Sequence, residues 1–185
     1  MKTGTLLRVA VVGLALTFAV SMASAQLNSG AQTIALNANL TESLTVSLSA
    51  SAVNFTLAAG AASNPGSTNV TATTAWTLKP GRTAVGVYAY FASSAAALTD
   101  GAGNNIPSAA FFIADNGGAS TALTSTVAFG GANAGMPLAN VAITGANKVS
   151  SRTDVMAFNI NLTTLPQLPA NTYTGTLNIQ AQATP

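Results

Sequence analysis

The chain has 185 residues with only four acidic and six basic side chains, and it contains no His and no Cys. Because most enzymes take their general bases, nucleophiles and metal ligands from these residue types, the composition argues against an enzyme and against a bound metal or other cofactor. A nucleic-acid surface needs clustered Lys and Arg, and this sequence has no such cluster. We therefore expect a structural or adhesive protein with no catalytic residues.

The first 25 residues are typical of a secretory signal peptide. Lys2 and Arg8 precede an apolar run at 9–20, and the small residues of 21–25 form a signal-peptidase site. The run of about 12 residues is shorter than the roughly 20 that a helix needs to cross a bilayer. We expect a secreted, extracellular protein of the cell surface that begins at Gln26 and has no membrane span in its mature form.

Removal of residues 1–25 leaves four basic side chains, equal in number to the four acids. A net charge near zero favours association between copies, because repulsion is weak. The remaining residues, 26–185, are enough for a single domain with its own hydrophobic core. Without cysteine, that core has to hold the fold by packing and by hydrogen-bonded sheet.

Apolar and polar residues alternate with a period of two along most of the mature chain. The first alternating segment is 32–40, in which Ile34, Leu36, Ala38 and Leu40 share one face. Further strands are expected at 44–48, 53–57, 68–78, 85–91, 109–114, 123–129, 141–144, 154–162 and 172–181. Turn-forming residues separate these segments, and no helical periodicity follows residue 25. About ten short strands in one domain predict an all-β, antiparallel sandwich.

Two of these strands carry the clearest candidate core residues. The apolar faces of the segments at 85–91 and 154–162 are expected to lie inside the sandwich. Their members are Val85, Val87, Ala89, Phe91, Met156, Phe158, Ile160 and Leu162.

Three aromatic residues are candidates for a binding surface. Tyr88 and Tyr90 share the opposite face of the segment at 85–91, where they could stack on sugars or on a neighbouring protein, or fill the second side of a buried strand. Trp76 is expected either to anchor the core or to form an exposed platform. The sequence leaves these alternatives open.

The acidic residues give weak signals for chemistry. Asp100 and Asn104 occupy alternate positions of a Gly-rich loop that is similar to a calcium loop, but the remaining ligands are missing, and a hairpin loop is favoured. The four acids are dispersed and lie near turns, so we interpret them as solvated loop side chains. A hydrolase that uses two of these carboxylates is the least favoured hypothesis.

The segment at 168–179 resembles the closing strands of secreted bacterial immunoglobulin-like domains. In those domains a Leu-Pro turn, here Leu168 and Pro169, positions a tyrosine corner, here Tyr173, and a final strand follows. With the alternating strands and the stretch at 103–107, the chain resembles pilin-like proteins of the spore-coat-U and chaperone–usher type. The resemblance implies an immunoglobulin-like β-sandwich.

The same resemblance implies assembly by strand donation. An alternating N-terminal segment of one subunit, here 32–40 with Ile34, Leu36, Ala38 and Leu40 as the subunit interface, would complete the sheet of the next subunit. The alternative is that this segment pairs within its own domain. A head-to-tail contact between copies does not close, and it produces a filament.

Two functions are compared. The first is a structural subunit of an extracellular filament or pilus whose partner is another copy of itself. The second is a monomeric cell-surface adhesin or carbohydrate-binding module that uses Tyr88, Tyr90 or Trp76. Self-association distinguishes the first hypothesis from the second.

Overall fold

A computed structural model describes residues 29–128 and 134–185 of the chain. The predicted signal peptide at 1–25 and the expected mature start at Gln26 lie outside these residues. The chain divides into Met1–Asn39, of which 29–39 are described, and a unit at Leu40–Pro185 that contains all the strands described below.

The described chain is all-β, with one short 3₁₀ helix at Ser108–Ala110. Its longer strands are β1 (Ser43–Leu48), β3 (Val70–Thr77), β4 (Ala84–Tyr90), β7 (Phe111–Asp115), β9 (Met136–Ala142), β10 (Val149–Ile160) and β11 (Asn178–Thr184). Two-residue strands are β2 (Asn64–Pro65), β5 (Leu98–Thr99), β6 (Asn105–Ile106) and β8 (Thr121–Ala122).

The longer strands form two antiparallel sheets. One has the order β1-β3-β10-β7-β8, with β2 paired to β10, and the other has the order β11-β4-β9. The hairpin of β5 and β6 stands apart from both. Residues of both sheets contribute to a common core, which is the arrangement of a β-sandwich.

Alternation along the strands decides which side chains are buried. In β3, Val70, Ala72, Thr74 and Trp76 are buried, while the residues between them are half-buried. The eight core residues predicted on the segments at 85–91 and 154–162 are all buried, each at 7% exposure or less. This part of the sequence prediction is confirmed.

The core has two clusters. The larger one contains most of the buried residues of both sheets, among them Val70, Phe91 and Met156. The smaller one consists of Trp76, Leu78 and Val85, with Leu44, Val141, Ile143 and Ala183 packed against it. We call this smaller cluster the closed end of the sandwich, because there the edge strands β1 and β11 contribute Leu44 and Ala183 to the same cluster.

Some predicted strands are shorter or absent. The segment at 53–57 makes only a bridge between Phe55 and Gly66. A side chain meets part of its backbone, since Asn54 N–H donates to Ser67 Oγ at 3.1 Å. The segment at 109–114 begins in the 3₁₀ helix after Pro107. The predicted strand at 123–129 is reduced to a bridge at Val127, and its last residue lies outside the described residues.

Candidate functional site

The N-terminal segment is exposed. Ile34, Leu36 and Leu40 are 85%, 89% and 81% exposed, and Ala38 is exposed as well. From residue 29 to residue 42 the described chain contains no strand. The segment at 32–40 therefore has the predicted alternation, but it has no strand partner among the described residues. Exposure of three large apolar side chains on one face is costly in water, so this face favours a binding partner.

A groove of about 780 Å³ lies within the sandwich unit. One rim is formed by the segment from Leu48 to Ala59, and the other by the segment from Leu168 to Ile179. The floor consists of the half-buried Leu98 and of the core residues Val70, Phe91, Phe111, Met156, Phe158, Ile160 and Leu162. The groove thus opens the sandwich between its two edges, at the opposite end of β1 from the closed end. We call this region the open end.

Aromatic rings form a large part of the groove's walls. The ring of Phe111 lies 5.1 Å from that of Phe91, 5.7 Å from that of Phe158 and 5.8 Å from that of Phe55. Two of these contacts are edge-to-face, which is a favoured arrangement of aromatic pairs. The cluster gives the groove an apolar surface, which suits a site that receives aliphatic side chains.

The second rim offers backbone hydrogen-bonding groups. Thr174 donates its N–H to Thr99 O and accepts from Thr99 N–H, both at 2.9 Å. Since successive residues of an extended strand direct their N–H and C=O groups to opposite sides, those of Tyr173 and Gly175 point away from Thr99. Neither Gly175 nor Leu177 has a backbone hydrogen bond in the described chain. The rim therefore resembles the unpaired edge of a sheet.

Gly175 is required by the close approach of another segment. A Cβ at this position would overlap the carbonyl oxygen of Ala97. The absence of a side chain lets the rim lie directly against the residues before β5, which hold it beside the groove.

A network of hydrogen bonds fixes the start of this rim. Tyr173 donates its hydroxyl to the carbonyl of Pro169 at 2.9 Å, as expected for a tyrosine corner. The carboxylate of Asp100 accepts from the side chain of Asn104 at 2.7 Å and from that of Asn171 at 3.1 Å. These hydrogen bonds, of which that from Asn104 has the largest effect, lower the pKa of Asp100 to about 2. Asp100 thus joins the hairpin of β5 and β6 to the groove rim.

The same contacts decide between the two interpretations of the Asp100 loop. Both carboxylate oxygens of Asp100 accept N–H groups, including the backbone N–H of Ala102 at 2.8 Å. The loop is therefore a hairpin loop closed by its own amides. No group of three or more potential metal-ligating side chains was found in the described chain.

An ion pair involves Glu42, the residue immediately before β1. Glu42 accepts from Arg82 Nε at 2.8 Å and from Arg82 Nη2 at 3.1 Å, and Lys79 Nζ lies 3.9 Å away. Arg82 Nη1 also donates to the carbonyl of Ala183 in β11 at 3.2 Å. The hydrogen bonds from Arg82 lower the pKa of Glu42 below its ordinary value. We call Glu42 and Arg82 the clasp.

The interpretation of the acids as dispersed, solvated loop residues is wrong for two of them. Asp154 is fully buried in β10, where Arg152 Nε donates to its Oδ1 at 2.7 Å. Asn116 donates to Asp154 Oδ1 and to Asp115 Oδ2, each at 3.0 Å. Burial, and then the charge of Asp154, raise the pKa of Asp115. Sequence spacing missed this cluster because strand pairing between β7 and β10 creates it.

The three candidate surface aromatics have different environments. Trp76 is buried at 4% exposure and donates its Nε1–H to the carbonyl of Asn147 at 2.8 Å, so it anchors the core and is not a surface platform. Tyr88 and Tyr90 are half-buried. The ring of Tyr88 occupies the space that a Cβ at Gly86 would need, and Tyr90 donates its hydroxyl to Gln180 Oε1 at 3.1 Å.

The sequence analysis found the N-terminal segment but missed the groove. The rim residues Phe55, Leu57 and Leu177 are apolar, yet they are only half-buried in the structure. A weak signal is present in the sequence, because these residues alternate as core residues do. Alternation alone cannot reveal that no strand of the described chain covers them.

In the part of the chain that the structure describes, no helix has the length and hydrophobicity to span a membrane. Comparison with known protein families, curated proteins and solved structures gave no match to this chain.

Proposed function

We propose that this protein is a non-enzymatic structural subunit of an extracellular filament, assembled head-to-tail by β-strand donation. One observation carries the proposal: the same chain has an open apolar groove and an exposed segment with alternating apolar residues. In strand donation the backbone of an added strand pairs with a sheet edge, and its alternate side chains fill pockets. The groove supplies both requirements, an unpaired edge at 173–177 and an apolar floor.

The strand order supports an immunoglobulin-like, pilin-like fold with one strand missing. An immunoglobulin-type sandwich has the sheets ABED and CFG. The order β1-β3-β10-β7 corresponds to ABED, and the pair β4-β11 corresponds to C and F. No strand of the described chain lies beside β11 at the position of G. The groove lies along this position, and a strand from a second copy would occupy it.

The contact between subunits would be open-ended. Each copy offers one segment and one groove, and these are different surfaces of the molecule. A contact between two different surfaces is heterologous, and repetition of it produces a filament unless rotation closes a ring. The signal-peptide pattern at 1–25 supports an extracellular location, and the mature net charge of zero favours close packing of copies.

The test compares two variants that carry the same new charge. Leu36→Asp places a carboxylate on the apolar face of the segment, and Asn37→Asp places one on the other face. Because an unpaired charge in an apolar groove is strongly unfavourable, we expect Leu36→Asp to abolish filaments in electron micrographs and Asn37→Asp to retain them. Far-UV circular dichroism should show an unchanged fold in both. Normal filaments of Leu36→Asp would overturn the proposal.

Cross-linking locates the contact directly, since the chain has no cysteine of its own. One batch of protein carries Leu36→Cys and another carries Leu177→Cys. After mixing, assembly and oxidation, we expect a disulfide between positions 36 and 177 of different chains, identified by mass spectrometry. Leu36→Cys mixed with Val149→Cys is the control, because Val149 is exposed and does not line the groove.

A second candidate function is carbohydrate binding at the outer face of β4. The observation that favours it is the half-buried pair Tyr88 and Tyr90 beside Gln180, which combines aromatic faces with an amide. Titration calorimetry with oligosaccharides tests it. Loss of binding in Tyr90→Ala with filaments intact would assign this face to adhesion, and no binding by the unsubstituted protein would reject it.

A further inference from the structure

We infer that the clasp of Glu42 and Arg82 directs the segment at 32–40 toward a second subunit. The clasp would do so by preventing the segment from pairing with the edge of β11 in its own subunit. The inference rests on the proposed strand donation and addresses its specificity. A segment that fits the groove of another copy also fits the groove of its own copy. Filament growth therefore requires a feature that disfavours self-insertion.

Strand direction shows what self-insertion would require. β1 begins at Ser43, opposite Thr77, and runs away from the closed end. β11 runs the other way and finishes with Thr184 opposite Ala84. The segment at 32–40 precedes β1 in the chain, and β1 begins at the closed end. To lie beside β11 of the same copy, it would have to reverse at residues 40–42 and then run parallel to β11.

The clasp occupies the place where that reversal would begin. The carbonyl of Thr184 accepts from Thr83 N–H at 2.9 Å, so it points toward the β4 side. The carbonyl of Ala183 must then point to the free edge of β11, because successive carbonyls alternate in direction. Arg82 Nη1 donates to this carbonyl while Arg82 holds the carboxylate of Glu42. Arg82 thus caps the free edge at its closed-end terminus.

The clasp also restrains the residue at which the chain would turn. Both carboxylate oxygens of Glu42 accept hydrogen bonds from Arg82. In addition, the stretch Leu40, Thr41 and Glu42 contains no Gly, Pro or Asn to favour a tight reversal of the chain. A strand from a second copy needs no reversal at residues 40–42, and it does not have to begin its pairing beside the capped carbonyl of Ala183. It is free to run antiparallel to β11, which is the slightly more stable pairing, and to use the uncapped edge from Gly175 onward.

The distribution of charged side chains in this chain is consistent with a role of the clasp in directing the segment. The residues after the predicted signal peptide hold eight charged side chains. Three of them, Glu42, Lys79 and Arg82, meet immediately before the start of β1. Since an isolated surface ion pair adds little to stability, a role in directing the segment accounts better for this concentration than stability does.

The experiment uses the full secreted protein and four variants. Glu42→Gln and Arg82→Gln each break the clasp, and Lys79→Gln is the matched control that removes a charge 3.9 Å from Glu42 while leaving the clasp in place. The exchange of charges, Glu42→Arg with Arg82→Glu, tests whether the pairing itself matters. Each protein is unfolded, refolded at low concentration and then concentrated to allow assembly. The monomers that remain are examined by hydrogen exchange at the amides of 32–40.

We expect Glu42→Gln and Arg82→Gln each to increase the fraction of unassembled monomers whose amides at 32–40 are protected. The increase should be roughly two- to fivefold, which corresponds to the usual free energy of a surface ion pair. Lys79→Gln should match the unsubstituted protein, and the charge exchange should restore part of the difference. Circular dichroism checks that every variant is folded.

Two failures are distinguishable. If the unsubstituted protein forms filaments and all variants leave the same fraction of protected monomer, the role assigned to the clasp is wrong and strand donation stands. If the unsubstituted protein stays monomeric with protected amides at 32–40, the segment belongs to its own domain, and both the proposed function and this inference are overturned.

Discussion

The closed end and the open end of the sandwich differ in how the apolar core is covered. At the closed end, Leu44 and Ala183 from the two edge strands pack against the cluster of Trp76, Leu78 and Val85. Arg82 of the clasp bonds to Glu42 and to the carbonyl of Ala183. At the open end, the rims at 48–59 and 168–179 are separated by a groove over the core. Residues of the described chain cover the core at the closed end, whereas a groove lies over the core at the open end.

This difference shows that a sandwich with an uncovered groove at one end can still have a well-packed core at the other end. The closed end supplies a local cluster that needs no partner, and a backbone contact with Thr99 holds the rim of the open end in place. In the described chain, the uncovered part of the core is confined to the groove at the open end.

The largest expected effect comes from breaking the closed end. Trp76→Ala should reduce the free energy of unfolding by about 3–5 kcal/mol, because it removes a buried ring and leaves a cavity. The carbonyl of Asn147 also loses its donor. Urea unfolding measures the change. Phe55→Ala at the half-buried rim of the groove should cost less, and equal losses would contradict the distinction between the two ends.

Gly175→Ala should distort the open end. The new Cβ would overlap the carbonyl of Ala97 and force the rim away from Thr99. We expect a loss of about 1–3 kcal/mol, the usual range for overpacking. Gly30→Ala is the control, since nothing lies within 4 Å of a Cβ there. Unchanged urea midpoints for both variants would show that the rim accommodates a side chain.

Asp100→Asn should make the attachment of the groove rim independent of pH. Hydrogen bonds lower the pKa of Asp100 to about 2 in the folded protein, so its contribution is full above the unfolded value near 4 and is lost as the pH falls toward 2. We expect a lower melting temperature than that of the parent at pH 7 and no difference at pH 2. A difference that persists at pH 2 would assign the effect to packing.

Asp115→Asn should shift stability in the opposite direction. Burial raises the pKa of Asp115 in the folded state, so ionisation destabilises the fold as the pH rises through that value. Its Oδ1 is buried and has no hydrogen-bond partner in the described chain. The variant should therefore melt at a higher temperature than the parent at pH 7, and the two should converge in acid. A lower melting temperature at pH 7 would mean that attraction to Arg152 outweighs burial.

The smallest expected effect is that of Leu36→Ala on an isolated monomer. Because Leu36 is 89% exposed, the free energy of unfolding should change by less than about 0.5 kcal/mol. Urea unfolding at a concentration too low for assembly measures it. A loss of about 2 kcal/mol or more would show that the segment is buried in its own subunit.

Sequence reasoning succeeded where one periodicity decides the outcome. Alternation at Val85–Phe91 and at Met156–Leu162 identified side chains that are all buried, because side chains of a strand alternate between two faces whatever the topology. It was less successful at 53–57 and 123–129. There, side-chain contacts or isolated bridges replace most of the ladder that alternation implies.

Some features of the fold could not be predicted from the sequence because they join residues far apart in the chain. Glu42 meets Arg82, which also reaches Ala183, and Asp154 shares Asn116 with Asp115. No spacing rule connects these positions. The sequence suggested four solvated acids, whereas the fold buries one of them completely.

The sequence by itself determined the all-β character, the buried faces of the central strands and the alternation of the N-terminal segment, since each depends only on the order of neighbouring residues. Only the tertiary structure decided that β11 is an edge strand, that a groove lies beside its start, and that Ile34, Leu36 and Leu40 have no strand partner in the described chain. The physical reason is that alternation specifies which face of a strand is apolar, whereas the pairing of strands specifies what covers that face.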